Sequence, residues 1–343
     1  MTNREACVTL DVLPSMRASP GARTVEEAVM PTEETATGQV DEPSQPAVVV
    51  AYDGSAQAAA ALRWGAHEAT VEKVPLDIVV AWQPATLALG SSGEAEEAHA
   101  EQLAQRAAAV AETVGGRRLA IRRHVDRGAP RAVILNRAKS AHLVIMGTSG
   151  HVGRLGALLG SVSRYVVERV DTPAVLIGPH AAGFVESRIV VISRYGVADG
   201  RAVSWAVRRA QVRPRCTLHL LDTWSPPGLG VGLVVQTARS LARRQAVLAH
   251  EQALEELRAA AGEVPVSGAL YEGRAADIEY AHGLPGDLLV VGAADVDQRP
   301  SLTQVRCPVA IIPPLPAASA SAPRETASER STPLVDAGGA SSG

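Results

Sequence analysis

The sequence predicts an α/β protein: two tandem, open-twisted, five-stranded parallel-sheet domains with helices on both faces. Three observations carry that reading. Short β-branched apolar runs alternate with longer helical patterns, the alternation starts afresh halfway along the chain, and landmarks in the two halves recur at a nearly constant spacing.

Ala47–Tyr52 (AVVVAY) is a continuous apolar run, as expected of a strand buried on both faces. Ala56–Thr70 reads as a helix, Leu76–Trp82 as a second strand and Glu94–Val114 as a long Ala/Glu/Gln helix. Leu119–Val125 is a third strand, and Pro130 opens a helix over Ala129–Ser140. A fourth strand at Leu143–Met146, a helix at Ser161–Val170 and a fifth strand at Ala174–Ile177 complete the first set. Arg188–Ser193 (RIVVIS) then resembles the first strand, and Ala198–Ala210 the first helix.

The repeat is measurable. Trp64 and Trp82 match Trp205 and Trp224 at offsets of 141 and 142, while Gly128 matches Gly273, and Leu143–Gly147 matches Leu288–Gly292, at 145. Thr172–Val175 matches Cys307–Ala310 at only 135, so the second copy is ten residues shorter between its fourth and fifth strands. The expected domains are 46–180 and 187–315. Residues 1–45 read as a flexible acidic arm and 316–343 as an Ala/Ser/Pro-rich disordered tail.

Composition narrows the function. The chain is 46% hydrophobic but only 3% aromatic, so its cores are mostly Ala, Val, Leu and Ile. A net charge of −3 gives no reason to expect nucleic acid as partner. Cys7, Cys216 and Cys307 fit neither a disulfide framework nor a zinc site, and Cys216 and Cys307 read as buried, inert thiols. No signal peptide or transmembrane run is evident, so a cytoplasmic protein without membrane association is expected.

The segment shortened in the second copy carries the chemistry. In the first copy it reads Met146-Gly147-Thr148-Ser149-Gly150, nine residues, then Gly160-Ser161-Val162-Ser163, running from a strand's carboxyl end into a helix. Ligands of open α/β sheets bind at that edge. Glycines there permit tight turns and close backbone approach, and free N–H groups and hydroxyls at a helix start favour an anion. The same residues also suit a plain turn followed by an ordinary N-cap at Ser161. No G-x-G-x-x-G fingerprint and no Walker A lysine is present, and His151 stands where a nucleophile elbow needs glycine.

Gly147-x-x-Gly150-(nine residues)-Gly160-Ser161 resembles the nucleotide signature of the ATP-binding universal stress proteins, the UspA-like family. Ala51-Tyr52-Asp53-Gly54-Ser55, Leu62-Arg63-Trp64 and Arg127-Gly128-x-Pro130 resemble its opening strand and turn, its first helix and the turn before its third helix. The resemblance implies the Rossmann-like fold of the adenine nucleotide alpha hydrolase-like proteins and ATP, with or without Mg2+, as ligand. It implies that Asp53, beyond Ala51, contacts the adenosine end, that Ala81 and Trp82 lie beside the adenine with the indole able to stack, and that Met146 and Gly147 line the ribose. It further implies that Gly150, Gly160, Ser161, Val162 and Ser163 hold the phosphates, with Arg127 near enough to neutralise charge.

The second copy has Ser193-Arg194-Tyr195-Gly196 in place of the Asp-Gly-Ser turn and Gly292-Ala293-Ala294-Asp295 in place of Gly-x-x-Gly. It is therefore expected to keep the fold, bind no ATP and pack against the first domain as a pseudo-dimer partner, joined through Val175–Ile177 and Ala310–Ile312. No paired acid and base and no metal-ligand cluster is evident, so a nucleotide-dependent sensor or regulator of the stress response, not an enzyme, is expected. A weak ATPase or nucleotide-transferring enzyme and a nucleotide-free interaction scaffold are the alternatives; further homodimerisation or a protein partner is left open.

Overall fold

In the computed structural model the described residues are 45–84, 93–148, 159–181, 187–226, 233–273, 284–293 and 305–314. The acidic arm, the C-terminal tail and the shortened stretch of the second copy lie outside them.

A first lobe contains strands β1 (Ala47–Ala51), β2 (Leu76–Trp82), β3 (Ile121–Arg127), β4 (Ala141–Gly147) and β5 (Ala174–Ile177). Its helices are α1 (Ala56–Glu72), α2 (Glu94–Gly115), α3 (Pro130–Ala138) and α4 (Ser161–Val167). A second lobe contains β6 (Arg188–Arg194), β7 (Thr217–Trp224), β8 (Val266–Glu272), β9 (Asp287–Gly292) and β10 (Val309–Ile312), with α5 (Gly200–Gln211) and α6 (Leu233–Ala261).

The strand order is β3-β2-β1-β4-β5-β10-β9-β6-β7-β8, one continuous ten-stranded sheet. Each lobe keeps the parallel order expected of it. The two five-stranded sheets are continuous because β5 and β10 pair antiparallel through Leu176–Val309, Val175–Ala310 and Ala174–Ile311. That join covers two strand edges that would otherwise present unpaired N–H and C=O groups.

Local sequence explains the elements. The central strands are near-continuous apolar runs and are buried throughout: Val48, Val50, Ile145 and Val175 are all fully inaccessible. Ser55 caps α1 by accepting from the Ala58 N–H at 3.1 Å, and Lys73 ends it in the left-handed region at φ 56°. Pro130 stands at the start of α3, where its missing N–H costs nothing. On α2 the buried positions Ala100, Ala104, Ala107 and Ala111 follow a helical stripe of small side chains, which lets α2 approach α1 closely. β3 lies two residues later than expected, at Ile121–Arg127, and β4 starts two residues earlier and ends one later, at Ala141–Gly147, because charged or small residues pair in the ladder although their side chains carry no apolar signal.

One core lies between the sheet and α1, α2, α5 and α6; a second lies on the opposite face, under α3 and α4. Cys216 and Cys307 are buried free thiols, as expected, and burial pushes the Cys307 thiol up to about 12. Among the described residues no helix is long and apolar enough to cross a membrane.

Candidate functional site at the β1–β4 crevice

β1 pairs with β2 on one side and β4 on the other, so the strand order reverses between β1 and β4. Such a switch point opens a crevice at the strands' carboxyl ends. Ala51 and Met146–Gly147 end the two strands there.

Beyond Ala51 the chain turns through Asp53 and Gly54, the latter at φ +82°. Asp53 is exposed, and its Oδ1 accepts from the Ser55 N–H at 2.9 Å. This Asx turn delivers Ser55 to its capping position. At Gly147 a side chain would have no room: a Cβ would stand 2.8 Å from Gln57 Cβ, 3.2 Å from the Gln57 carbonyl carbon and 3.3 Å from Ala58 N. Glycine is what allows the first turn of α1 to seat against the end of β4.

The loop leaving β4 is pinned at both ends. The Gly160 N–H donates to the Thr148 carbonyl at 2.7 Å, and the Ser163 hydroxyl donates to the Gly147 carbonyl, also at 2.7 Å. Ser163 is buried, Ser161 is exposed and Val162 packs against the core beneath α4. Gly150 and His151 lie outside the described residues. Thr148, passed over in reading the sequence, is 1% exposed, and its Oγ1 finds no hydrogen-bond partner among the described residues. Only an orphaned buried hydroxyl marks it, a signal no motif carries.

Two expected residues stand apart. Trp82 is 9% exposed, packed with Val80, Ala100 and Ala104, and a Cβ on Gly93 would meet its Cζ3 at 2.9 Å. The indole packs in the core beneath α2, and Ala81 at the end of β2 is half-buried. Arg127 is exposed, with its guanidinium 5.7 Å from the centre of the Trp82 ring. It ends β3, three strands from β4, roughly 14 Å away at the usual strand spacing. The structure therefore gathers Ala51, Asp53, Met146, Gly147, Gly160, Ser161, Val162 and Ser163 around one crevice, and leaves Trp82 and Arg127 at its flank.

The corresponding crevice of the second lobe, between β6 and β9, is built differently. Gly292 again permits close approach, but the side chain over it is acidic: a Cβ there would lie 2.8 Å from Asp199 Cβ and 2.9 Å from Asp199 Oδ2. Asp199 caps α5, accepting at Oδ1 from the N–H groups of Arg201 at 2.8 Å and Ala202 at 3.1 Å. The turn before it is held by Asp222, which is fully buried and accepts from the Gly196 N–H at 2.7 Å and the Thr223 N–H at 2.8 Å. Burial pushes the Asp222 carboxyl up despite those donors. The sequence reading placed Asp199 inside the helix Ala198–Ala210; it stands instead as the N-cap of α5, with its carboxylate over the strand end.

Among the described residues no group of three or more His, Cys, Asp or Glu could hold a metal ion. Of the donors at the crevice, the Gly160 N–H and the Ser163 hydroxyl are taken up by the Thr148 and Gly147 carbonyls, and Ser161 is left exposed at the start of α4.

Comparison with known proteins agrees with the geometry. Residues 46–178 match the model of the universal stress protein family. Universal stress protein Rv2005c of Mycobacterium tuberculosis is 32% identical over 141 residues, which span 39% of this chain and 48% of that protein. Universal stress protein Rv2624c of the same organism is 28% identical over 182 residues, 52% of this chain and 66% of that protein. The chain thus spans about half the length of the first curated relatives it matches. A universal stress protein from Archaeoglobus fulgidus shares the fold at 16% identity and a TM-score of 0.53, over 79% of this chain and 97% of that one. Residues 46–178, the segment that builds the β1–β4 crevice, are thus similar to the universal stress protein family.

Proposed function

We propose that the first lobe binds one adenine nucleotide, ATP, at the β1–β4 crevice, and that the protein acts as a nucleotide-dependent sensor or regulator in the stress response. The observation that carries the proposal is the convergence of Asp53, Gly147, Gly160 and Ser161 on the switch point, with both ends of the intervening loop pinned. In this reading the base and ribose lie along Ala51, Asp53, Ala81 and Met146. The phosphates take the main-chain N–H groups of Ser161, Val162 and Ser163 at the start of α4, with Gly150 on the loop, while the Gly160 N–H stays on the Thr148 carbonyl. The Ser163 hydroxyl acts indirectly, because its proton already holds the Gly147 carbonyl. Mg2+ would be carried by the phosphates rather than by a protein cluster.

The second lobe serves as the structural partner of the first. A carboxylate over Gly292, where the first lobe has neutral Gln57 over Gly147, disfavours a polyphosphate in its crevice.

The test is nucleotide content and stoichiometry in the purified full-length chain, followed by ATP titration with and without Mg2+. One ATP per chain, abolished in Gly160→Trp while thermal unfolding is unchanged, is the expected result. Turnover above background would favour a weak ATPase. No nucleotide and no binding would refute the proposal and favour an interaction scaffold.

A further inference from the structure

Where α1 of the first lobe meets α5 of the second, equivalent positions of the duplication face each other. Glu68 and Arg209 are 141 residues apart, as are Glu72 and Arg213, and this is also the offset between Trp64 and Trp205. Arg209 is paired with Glu68 through both carboxylate oxygens, at 2.5 and 2.6 Å. Arg213 donates to the same carboxylate at 2.7 and 2.8 Å and to Glu72 at 3.1 Å. The Arg209 guanidinium lies 5.0 Å from the centre of each indole, Trp64 and Trp205. Glu68 is 2% exposed and Arg209 6%, so this cluster sits well inside the molecule.

The sheet has the same symmetry. Val175 and Ala310, equivalent at the offset of 135, are direct partners in the β5–β10 pair, and the flanking pairs are reciprocal. One pseudo-twofold axis therefore runs through the β5–β10 join and the α1–α5 contact. On a true twofold, each residue at the axis meets its own copy.

The β5–β10 join is apolar and indifferent to which lobe supplies the partner edge. The helix layer is not indifferent. A second copy of the first lobe would set Glu68 and Glu72 against Glu68 and Glu72 with no cation between them. Two copies of the second lobe would set arginines against arginines. Burying like charges without a counter-ion is among the costliest arrangements a packed interface can contain.

We propose that the α1–α5 face is a charge-coded recognition surface, on which the acidic helix of a first lobe accepts only the basic helix of a second lobe. The code confines lobe pairing to the unlike pair, within one chain or reciprocally between two. It keeps first lobes from dimerising with one another through the strand edge that β10 covers.

Full-length charge variants test this. E68R/E72R and R209E/R213E each place like charges at the axis, and each is expected to lower Tm by about 10 °C. The chain carrying all four substitutions restores the unlike pair with its sign reversed. By the pseudo-twofold, the guanidinium introduced by E68R has the same two indoles beside it. Recovery of most of the lost Tm is the expected result. If either double variant does not accumulate alone, co-expression replaces the measurement: a tagged E68R/E72R chain should then co-purify with an untagged R209E/R213E chain as a heterodimer of twice the 35.6 kDa chain mass. A four-fold variant as unstable as the doubles, or double variants as stable as the parent, would overturn the code.

Discussion

Gly147 and Gly292 make a matched experiment inside one molecule. At each, a β-carbon would come within 2.8 Å of the Cβ of a residue at the start of the adjoining helix, Gln57 in the first lobe and Asp199 in the second. Carbon–carbon contacts settle at about 3.5–4.0 Å, so Gly147→Ala must drive β4 and α1 apart by roughly 0.7 Å. The next nearest atoms, the Gln57 carbonyl carbon at 3.2 Å and Ala58 N at 3.3 Å, are backbone and cannot rotate away. Overpacking of this kind costs about 1–3 kcal/mol, which for a chain of this size lowers Tm by a few degrees. Gly292→Ala meets the Asp199 carboxylate instead, at 2.9 Å, and also threatens the N-cap of α5, so its cost is similar or slightly larger. Function should separate what stability does not. The strand shift at Gly147 displaces the carbonyl that holds Ser163 and, through Thr148, the anchor of Gly160, so ATP affinity is expected to fall at least tenfold. Gly292→Ala should leave affinity unchanged. Calorimetric melting and isothermal titration of both variants check this. Equal losses of affinity, or no loss at Gly147, would refute the assignment of the site to the first lobe.

Further expectations concern charge and thiols. Asp77 is pushed up by burial, but its contacts with His124 and Arg122 outweigh this and hold it below the ordinary 3.8. A depressed carboxyl stabilises the fold above its unfolded value and loses that contribution as pH falls through the folded one. Asp77→Asn should therefore cost on the order of 1 kcal/mol near neutrality, with the gap from the parent closing below about pH 4 in acid-titrated melts. Glu68→Ala removes the buried carboxylate that pairs with Arg209 and is shared by Arg213, and should cost about 3–5 kcal/mol, read as a fall in denaturant midpoint. Cys216 and Cys307 should resist alkylation at pH 8 in the native protein and react on unfolding; labelling of either in the folded chain would contradict their burial.

Much of the architecture was legible because buried parallel strands write themselves as unbroken apolar runs. Leu76–Trp82 and Ala174–Ile177 fall where the sequence puts them. Strands of mixed character are harder, since β3 pairs along Ile121–Arg127 with five polar residues among its seven. The crevice was legible in its glycines and serines, whose spacing is a backbone requirement. Less of it was legible where the answer depends on which face a side chain takes. Trp82 ends its strand as expected, yet its ring turns under α2 because Ala100 and Ala104 leave room there. The Glu68–Arg209 pair was invisible for a different reason. Each residue alone is an ordinary helical charge, and only the fold brings two equivalent positions to one axis.

The architecture also explains why the two lobes can diverge at their crevices without losing one another. What the first lobe needs from the second is an edge for β5 and a counter-charge for Glu68, and these come from β10 and α5. Both lie on the pseudo-twofold axis, in the middle of the ten-stranded sheet. The crevices lie elsewhere, at the carboxyl ends of β1 and β4 and of β6 and β9. A change such as Asp199 over Gly292 alters one crevice while leaving the β5–β10 ladder and the Glu68–Arg209 pair untouched. Stability therefore constrains the second lobe at its axis, and the ligand proposed for the first lobe would constrain that lobe at its switch point. Substitutions at the axis should register in both lobes together, whereas substitutions at either crevice should stay local.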